Sequence, residues 1–234
     1  PRRYPNRALL YVTHTCGVYC RHCTRRRKVS NPDSFVRKVQ WQEAAAWLEA
    51  HPEVDDLVLS GGDPLTLSDN RVRELLECVR PHVTMIRIGT RQPTTLPQRI
   101  TPELCAMFAK FQPIYIMTHF NHPKECTPEA ALALERLADA GCVLSNQAVL
   151  LKGVNDSART LSTLHKWLVA HRCRPYRLYH CDYTEGTQQF RVPFSRGLEI
   201  MQDLRGPSSG LAMPEYMVDL PYGWGKVLVS AGEA

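Results

Sequence analysis

The sequence contains no long apolar run. Its hydrophobic stretches are short and interrupted by charge, which excludes a helical membrane span. The N-terminal Pro1-Arg2-Arg3-Tyr4 lacks a secretory h-region, so the expected location is the cytoplasm. Nine cysteines are an odd number for a mid-sized chain without a signal peptide, and they read as reduced thiols rather than a disulfide framework. Cys78, Cys105, Cys126, Cys142 and Cys173 stand apart as packing residues. No linker is required either. A chain of 234 residues buries one core of α/β-barrel size, so residues 1–234 are expected to form a single domain. Regularly placed aromatics between the basic groups are lacking, which weakens nucleic acid as the reason for a net charge of +6. Small anionic ligands account for Arg2, Arg3, Arg7, Arg21 and Arg25 at least as well. Arg26, Arg27 and Lys28 are expected to form a solvated basic face.

Against that background Cys16, Cys20 and Cys23 stand out, in a CxxxCxxC spacing directly after an apolar strand-like stretch. Three thiolates on one short loop can hold three corners of a cubane [4Fe-4S] cluster and leave the fourth iron without a protein ligand. Electron-transfer clusters close all four positions, so an open iron points to chemistry on a bound molecule. The competing reading is zinc held by the three cysteines with His14 or His22, although zinc sites favour CxxC pairs separated by a longer loop.

Apolar, β-branched runs recur at Leu9–Thr13, Leu57–Leu59, Val83–Ile88, Ile114–Met117, Val143–Leu150 and Tyr176–Tyr179, with helical patterns between them. Thr101-Pro102-Glu103 and Thr127-Pro128-Glu129 each supply an N-cap, a proline at the first helical position and an acid in the first turn. Ala130, Leu134, Leu137 and Ala138 then form one stripe, as do Leu161, Leu164 and Leu168, and Trp41, Ala44 and Leu48. Six βα units imply a parallel sheet with right-handed crossovers. The cysteine loop, Ser60-Gly61-Gly62-Asp63, His119, Gln147 and Asp182 all fall at or near carboxyl ends of strands. Only a curled sheet brings those ends to one mouth, so the expected fold is α/β: a partial (β/α)6 barrel with outer helices.

The cysteine loop with Ser60-Gly61-Gly62-Asp63-Pro64-Leu65 resembles the radical S-adenosylmethionine (SAM) superfamily. Longer strings resemble, in order and spacing, its lysine 2,3-aminomutase family: Arg3-Tyr4-Pro5-Asn6-Arg7, Cys20 to Arg27, Thr118 to Pro123, Asn146 to Asp156, Cys181-Asp182, and the glycine-containing loop from Asp219 to Lys226. The resemblance implies a cluster on Cys16, Cys20 and Cys23, and S-adenosylmethionine held by Ser60, Gly61, Gly62, Asp63, His119 and Gln147. It implies pyridoxal phosphate carried on Lys226, with Arg3 and Arg7 meeting its phosphate. Arg25 would pair with the substrate α-carboxylate, and Asp182 and Asp219 with the far ammonium of lysine. His122 is read as a hydrogen-bonded loop residue. Tyr222 and Trp224 replace two glycines of the family's loop and must point away from the cofactor.

The implied activity is an isomerase that interconverts L-lysine and L-β-lysine, supplied with electrons by a donor such as flavodoxin or ferredoxin, without nucleic acid or membrane. The family's N-terminal region and its zinc-binding C-terminal tail have no counterpart in these residues, and Ser157 stands where the family has a zinc-ligating cysteine. No zinc is therefore expected, and a homo-oligomer stays open. Rival readings are an aminomutase for arginine, the relative that prepares β-lysine for modifying an elongation factor, and a zinc-stabilised nucleic-acid-binding module. Glutamate fits poorly, since two carboxylates would repel a third.

Overall fold

The computed structural model describes residues 2–29, 36–220 and 224–230. They form one nine-stranded sheet in sequence order: β1 (Arg2–Tyr4), β2 (Arg7–Thr13), β3 (Asp56–Gly61), β4 (Met85–Gly89), β5 (Ile114–Thr118), β6 (Val143–Leu150), β7 (Cys173–His180), β8 (Glu215–Leu220) and β9 (Gly225–Leu228). Strands β2 to β8 are mutually parallel, and β1 and β9 add antiparallel edges. The helices are α1 (Lys38–Glu49), α2 (Asp69–Val79), α3 (Gln92–Thr95), α4 (Pro102–Ala109), α5 (Pro128–Asp139), α6 (Ala158–Ala170) and α7 (Phe194–Arg205). Each strand from β2 to β7 is followed by a helix before the next begins, which gives the six βα units expected. Three strands go beyond the expectation. β1 has three residues, too few to show a period. β8 carries acids at Glu215 and Asp219, and β9 is a four-residue return.

Strand alternation explains how one sheet makes both a core and a cavity. Leu57 and Leu59, Ile86 and Ile88, Ile114 and Ile116, and Ala148 and Leu150 are buried, within two apolar clusters that also hold the inner faces of α2, α4, α5, α6 and α7. Their neighbours Val58 and Ser60, Arg87 and Gly89, and Gln147 and Val149 instead line a cavity of about 1100 Å³. A closed eight-stranded barrel fills its interior with branched side chains. Here arginine, glutamine, tyrosine and glycine line much of the interior beside Val58 and Val149.

The predicted caps form. Thr101 Oγ1 accepts from Leu104 N at 3.2 Å, and Thr127 Oγ1 from Ala130 N at 3.2 Å, each worth about 1 kcal/mol. In α5 the buried stripe is Ala130, Ala133, Leu134 and Leu137, so Ala133 takes the place expected of Ala138, which is half-buried. The first strand meets both of the last two. Lys226 N donates to Tyr4 Oη at 3.3 Å, and Arg3 Nη1 lies 2.7 Å from Asp219 Oδ1. No helix among the described residues is long and apolar enough to cross a membrane.

Candidate active site

The loop after β2 carries Cys16, Cys20 and Cys23, all free and half-buried. Cys23 N donates to Cys20 O at 3.0 Å, and Arg25 N donates to Cys23 Sγ at 3.3 Å. The loop is seated against the end of β3. Gly62 N donates to Thr13 O at 2.7 Å and Asp63 N to Thr15 O at 2.8 Å. A Cβ on Gly61, whose φ is +115°, would lie 2.3 Å from Thr13 O, and one on Gly62 would lie 2.1 Å from Thr15 O. The glycine pair is thus required for loop-to-loop contact.

Asp63 is buried and fully used. It accepts from Leu65 N at 3.0 Å, Thr90 Oγ1 at 2.7 Å and Arg91 N at 2.7 Å. Burial pushes its carboxyl up, against those donors. Burial also pushes the Cys16 thiol up to about 11, helped by Asp63 and then by the other two cysteines.

Beside the loop His22 and His119 stack at 5.4 Å and 14°, with their Nε2 atoms 3.2 Å apart. Asn121 Nδ2 is 2.9 Å from His119 Nε2. Burial, then the Arg91 charge, takes His22 down to about 4 and His119 well below its ordinary value, so both rings are neutral near pH 7. His122 Nδ1 accepts from Lys124 N at 3.0 Å, in keeping with a loop role.

Sequence reasoning missed Arg91, which follows β4. Its Nη1 lies 2.6 Å from Cys20 Sγ and its Nη2 2.6 Å from Glu125 Oε1. Before a Gln92-Pro93 turn nothing distinguishes this arginine from a loop residue, and Cys20 is 71 positions away.

At the far end of the cavity Lys226 Nζ sits 2.6 Å from Asp219 Oδ2 and 4.7 Å from the centroid of the Tyr179 ring. The direct partner of Lys226 is a carboxylate. Burial disfavours the Asp219 anion, but Lys226 and then Arg3 outweigh it and hold its carboxyl below the usual range. Asp182 differs. Burial raises it first and Asp219 adds to the rise, against weaker opposition from Lys226 and Arg3. Among the described residues no ion pair includes it.

Arg7 Nε is 2.7 Å from Asp56 Oδ2, and Arg87 binds the same buried carboxylate through two nitrogens. Arg25 Nη1 donates to Ser60 Oγ at 2.5 Å. Arg26 is no purely solvated group: it donates to Arg21 O and Gly186 O at 3.3 and 3.2 Å, while Arg27 pairs with exposed Glu185. Trp224 is 78% exposed and turned out of the cavity; Tyr222 lies outside the described residues. One cavity is lined by Arg3, Arg7, Cys16, Cys20, Cys23, Arg25, Ser60, Gly61, Gly62, Asp63, His119, Gln147, Asp182, Asp219 and Lys226, so all the site residues drawn from the sequence are brought together.

Residues 10–163, from β2 into α6, match the Radical SAM superfamily. The chain belongs to that superfamily. This radical SAM chain is 50% identical over 229 residues to the L-lysine 2,3-aminomutase of Fusobacterium nucleatum, covering 97% of the chain and 54% of the relative. It is 44% identical over 227 residues to the glutamate 2,3-aminomutase of Clostridioides difficile, covering 96% and 54%. The chain therefore spans about half the length of the curated relatives it matches. A radical SAM methyltransferase from Sphaerobacter thermophilus shares the fold, with a TM-score of 0.64 at 19% identity over 92% of this chain and 67% of that one.

Radical SAM proteins use a [4Fe-4S] cluster and S-adenosylmethionine, and the donor set fits the cluster. Among the described residues no three His, Cys, Asp or Glu side chains converge as ligands of one metal ion would. A cubane asks for something else, since each thiolate binds its own iron and the three sulfurs stand apart. His22, the alternative zinc ligand, is engaged with His119, and His14 stacks on Tyr11 at 6.0 Å.

Proposed function

We propose that residues 1–234 form the single barrel domain of a cytoplasmic, pyridoxal-phosphate-dependent radical SAM aminomutase that interconverts L-lysine and L-β-lysine. The observation that carries this is the shared cavity: the cysteine loop after β2 and Lys226 on β9 line the same space. Similarity to L-lysine 2,3-aminomutase over 97% of the chain supports it. When bound, the cluster and S-adenosylmethionine supply one-electron cleavage and hydrogen abstraction, and pyridoxal phosphate supplies a conjugated carrier for the migrating nitrogen. A one-electron donor such as flavodoxin or ferredoxin completes the proposal.

The chain's own residues orient and exclude. Cys16, Cys20 and Cys23 would hold the cluster. Neutral His22 and His119 line the cavity without placing a second positive charge near a sulfonium. Gln147, on β6, offers a neutral donor and acceptor among them. Lys226 would hold pyridoxal phosphate through its amine, with Tyr179 beneath it. Arg3 and Arg7 line the cavity together with Lys226, and their planar forks would suit the oxygens of a phosphate. Arg25, steadied by Ser60, would receive the substrate α-carboxylate. Asp182, without an ion pair among the described residues, presents an anion to a side-chain ammonium, and Asp219 adds to the same negative end. Substrate anchors at both ends keep the reacting carbon in one place.

Arginine is the second reading, because its side-chain cation would meet the same Asp182. Glutamate would bring a third carboxylate to Asp182 and Asp219. The test is anaerobic reconstitution, reduction, and addition of S-adenosylmethionine, pyridoxal phosphate and lysine or arginine, with products separated by chromatography. β-Lysine from the wild type and none from Lys226→Ala supports the reading. Nitrogen migration in arginine alone would remove lysine from it.

A further inference from the structure

We propose that Arg91, braced by Glu125, is a positioning residue that sets the reduction potential of the cluster on the cysteine loop; this rests on the reading that Cys16, Cys20 and Cys23 hold that cluster. Three contacts fix Arg91. Its backbone N donates to Asp63 Oδ2 at 2.7 Å, its Nη2 reaches Glu125 Oε1 at 2.6 Å, and its Nη1 reaches Cys20 Sγ at 2.6 Å. Glu125 is itself held, since its Oε2 accepts from Asn121 N at 2.5 Å and His122 N at 3.0 Å. Both side chains are about one-fifth exposed, so solvent screens the charges only in part. Of the other two loop thiols, Cys23 Sγ accepts from the neutral Arg25 N and Cys16 meets the Asp63 backbone. Cys20 is therefore the thiol met by a full cation.

The energetic consequence has a definite sign. Taking up one electron from an external reductant makes a cubane one charge more negative. A fixed cation at a ligating sulfur favours that state, because net charge and hydrogen bonds to the sulfurs set the potential of such clusters. Glu125 opposes the effect in part through its own charge while keeping the guanidinium aimed. Loops after β2, β4 and β5 thereby meet at one sulfur, which ties the readiness of the cluster to accept an electron to the geometry of the barrel mouth.

The test is a reductive titration of the anaerobically reconstituted protein, read by electron paramagnetic resonance, with iron per chain measured in parallel. Arg91→Met is expected to retain iron and to show about a tenfold lower ratio of reduced to oxidised cluster at a fixed solution potential, which for one electron is a shift of about 59 mV to the negative side. Arg91→Lys should recover most of that ratio. Glu125→Gln should move it the opposite way, since the carboxylate charge is lost and the cation stays. A potential unchanged in Arg91→Met and in Glu125→Gln overturns the proposal and assigns Arg91 to packing alone. Should Arg91→Met hold no iron, Arg91→Lys and Glu125→Gln decide by the same criterion. Wild-type protein that takes up no iron overturns the cluster reading itself, and iron content shows that outcome separately.

Discussion

Lys226 Nζ and Asp219 Oδ2 are 2.6 Å apart across the antiparallel β8–β9 pair, and the other oxygen of the same carboxylate takes Arg3 from β1. One side chain thus joins the first strand, the penultimate strand and the amine that would carry the cofactor. Asp219→Asn removes the carboxylate that holds both Lys226 and Arg3. The expected outcome is weaker pyridoxal phosphate uptake, followed by visible absorbance, because the Lys226 amine loses the partner that aims it. Breaking this half-buried pair should also cost about 1–3 kcal/mol in denaturant unfolding.

Asp182→Asn should raise KM for lysine by roughly 30-fold, equivalent to about 2 kcal/mol for losing one member of a desolvated charge pair. Its carboxyl lies above the usual range through burial and then Asp219, and the anion exists only above its pKa. As pH falls through that raised value KM for lysine should climb in the wild type, while the Asn variant stays flat. Initial rates across the acid range check both.

Gly62→Ala would place a Cβ 2.1 Å from Thr15 O. That atom is backbone and the loop must move, an overpacking penalty of about 1–3 kcal/mol. Iron and sulfide per chain after reconstitution should fall while far-ultraviolet circular dichroism is retained.

The barrel was legible because its strands and helices follow local rules. Apolar, β-branched runs marked six parallel strands, and the Thr-Pro-Glu triplets marked two helix starts whose caps form as expected. The three thiols were legible from spacing, and Lys226 from the loop around it. Arg91 and Glu125 were not, because their meaning arises only when loops 71 and 34 positions apart converge. The pairing of Asp219 with Arg3, 216 positions away, was hidden for the same reason. The glycine pair was legible as part of a ligand segment, but its contact with the backbone of Thr13 and Thr15 required the fold.

His165 tests the core at a distance from the cysteine loop. Burial in α6 holds it down at about 4, against the help of Ala212 O. The unfolded chain takes up its proton near 6.5, so the fold loses stability as pH falls from about 6.5 to 4, by about 3 kcal/mol for this residue. Denaturant unfolding at neutral pH and at about pH 4.5 should show His165→Gln losing about 2 kcal/mol less than the wild type across that interval.

In the proposed function, cluster chemistry and the Lys226 amine act in one space. Lysine deuterated at its β-carbon, given to the reconstituted and reduced protein with S-adenosylmethionine and pyridoxal phosphate, tests it most directly by mass spectrometry of the recovered 5′-deoxyadenosine. Deuterium is expected in that product, and none when Lys226 is replaced by alanine. Recovered 5′-deoxyadenosine that carries no deuterium in the wild type would contradict it.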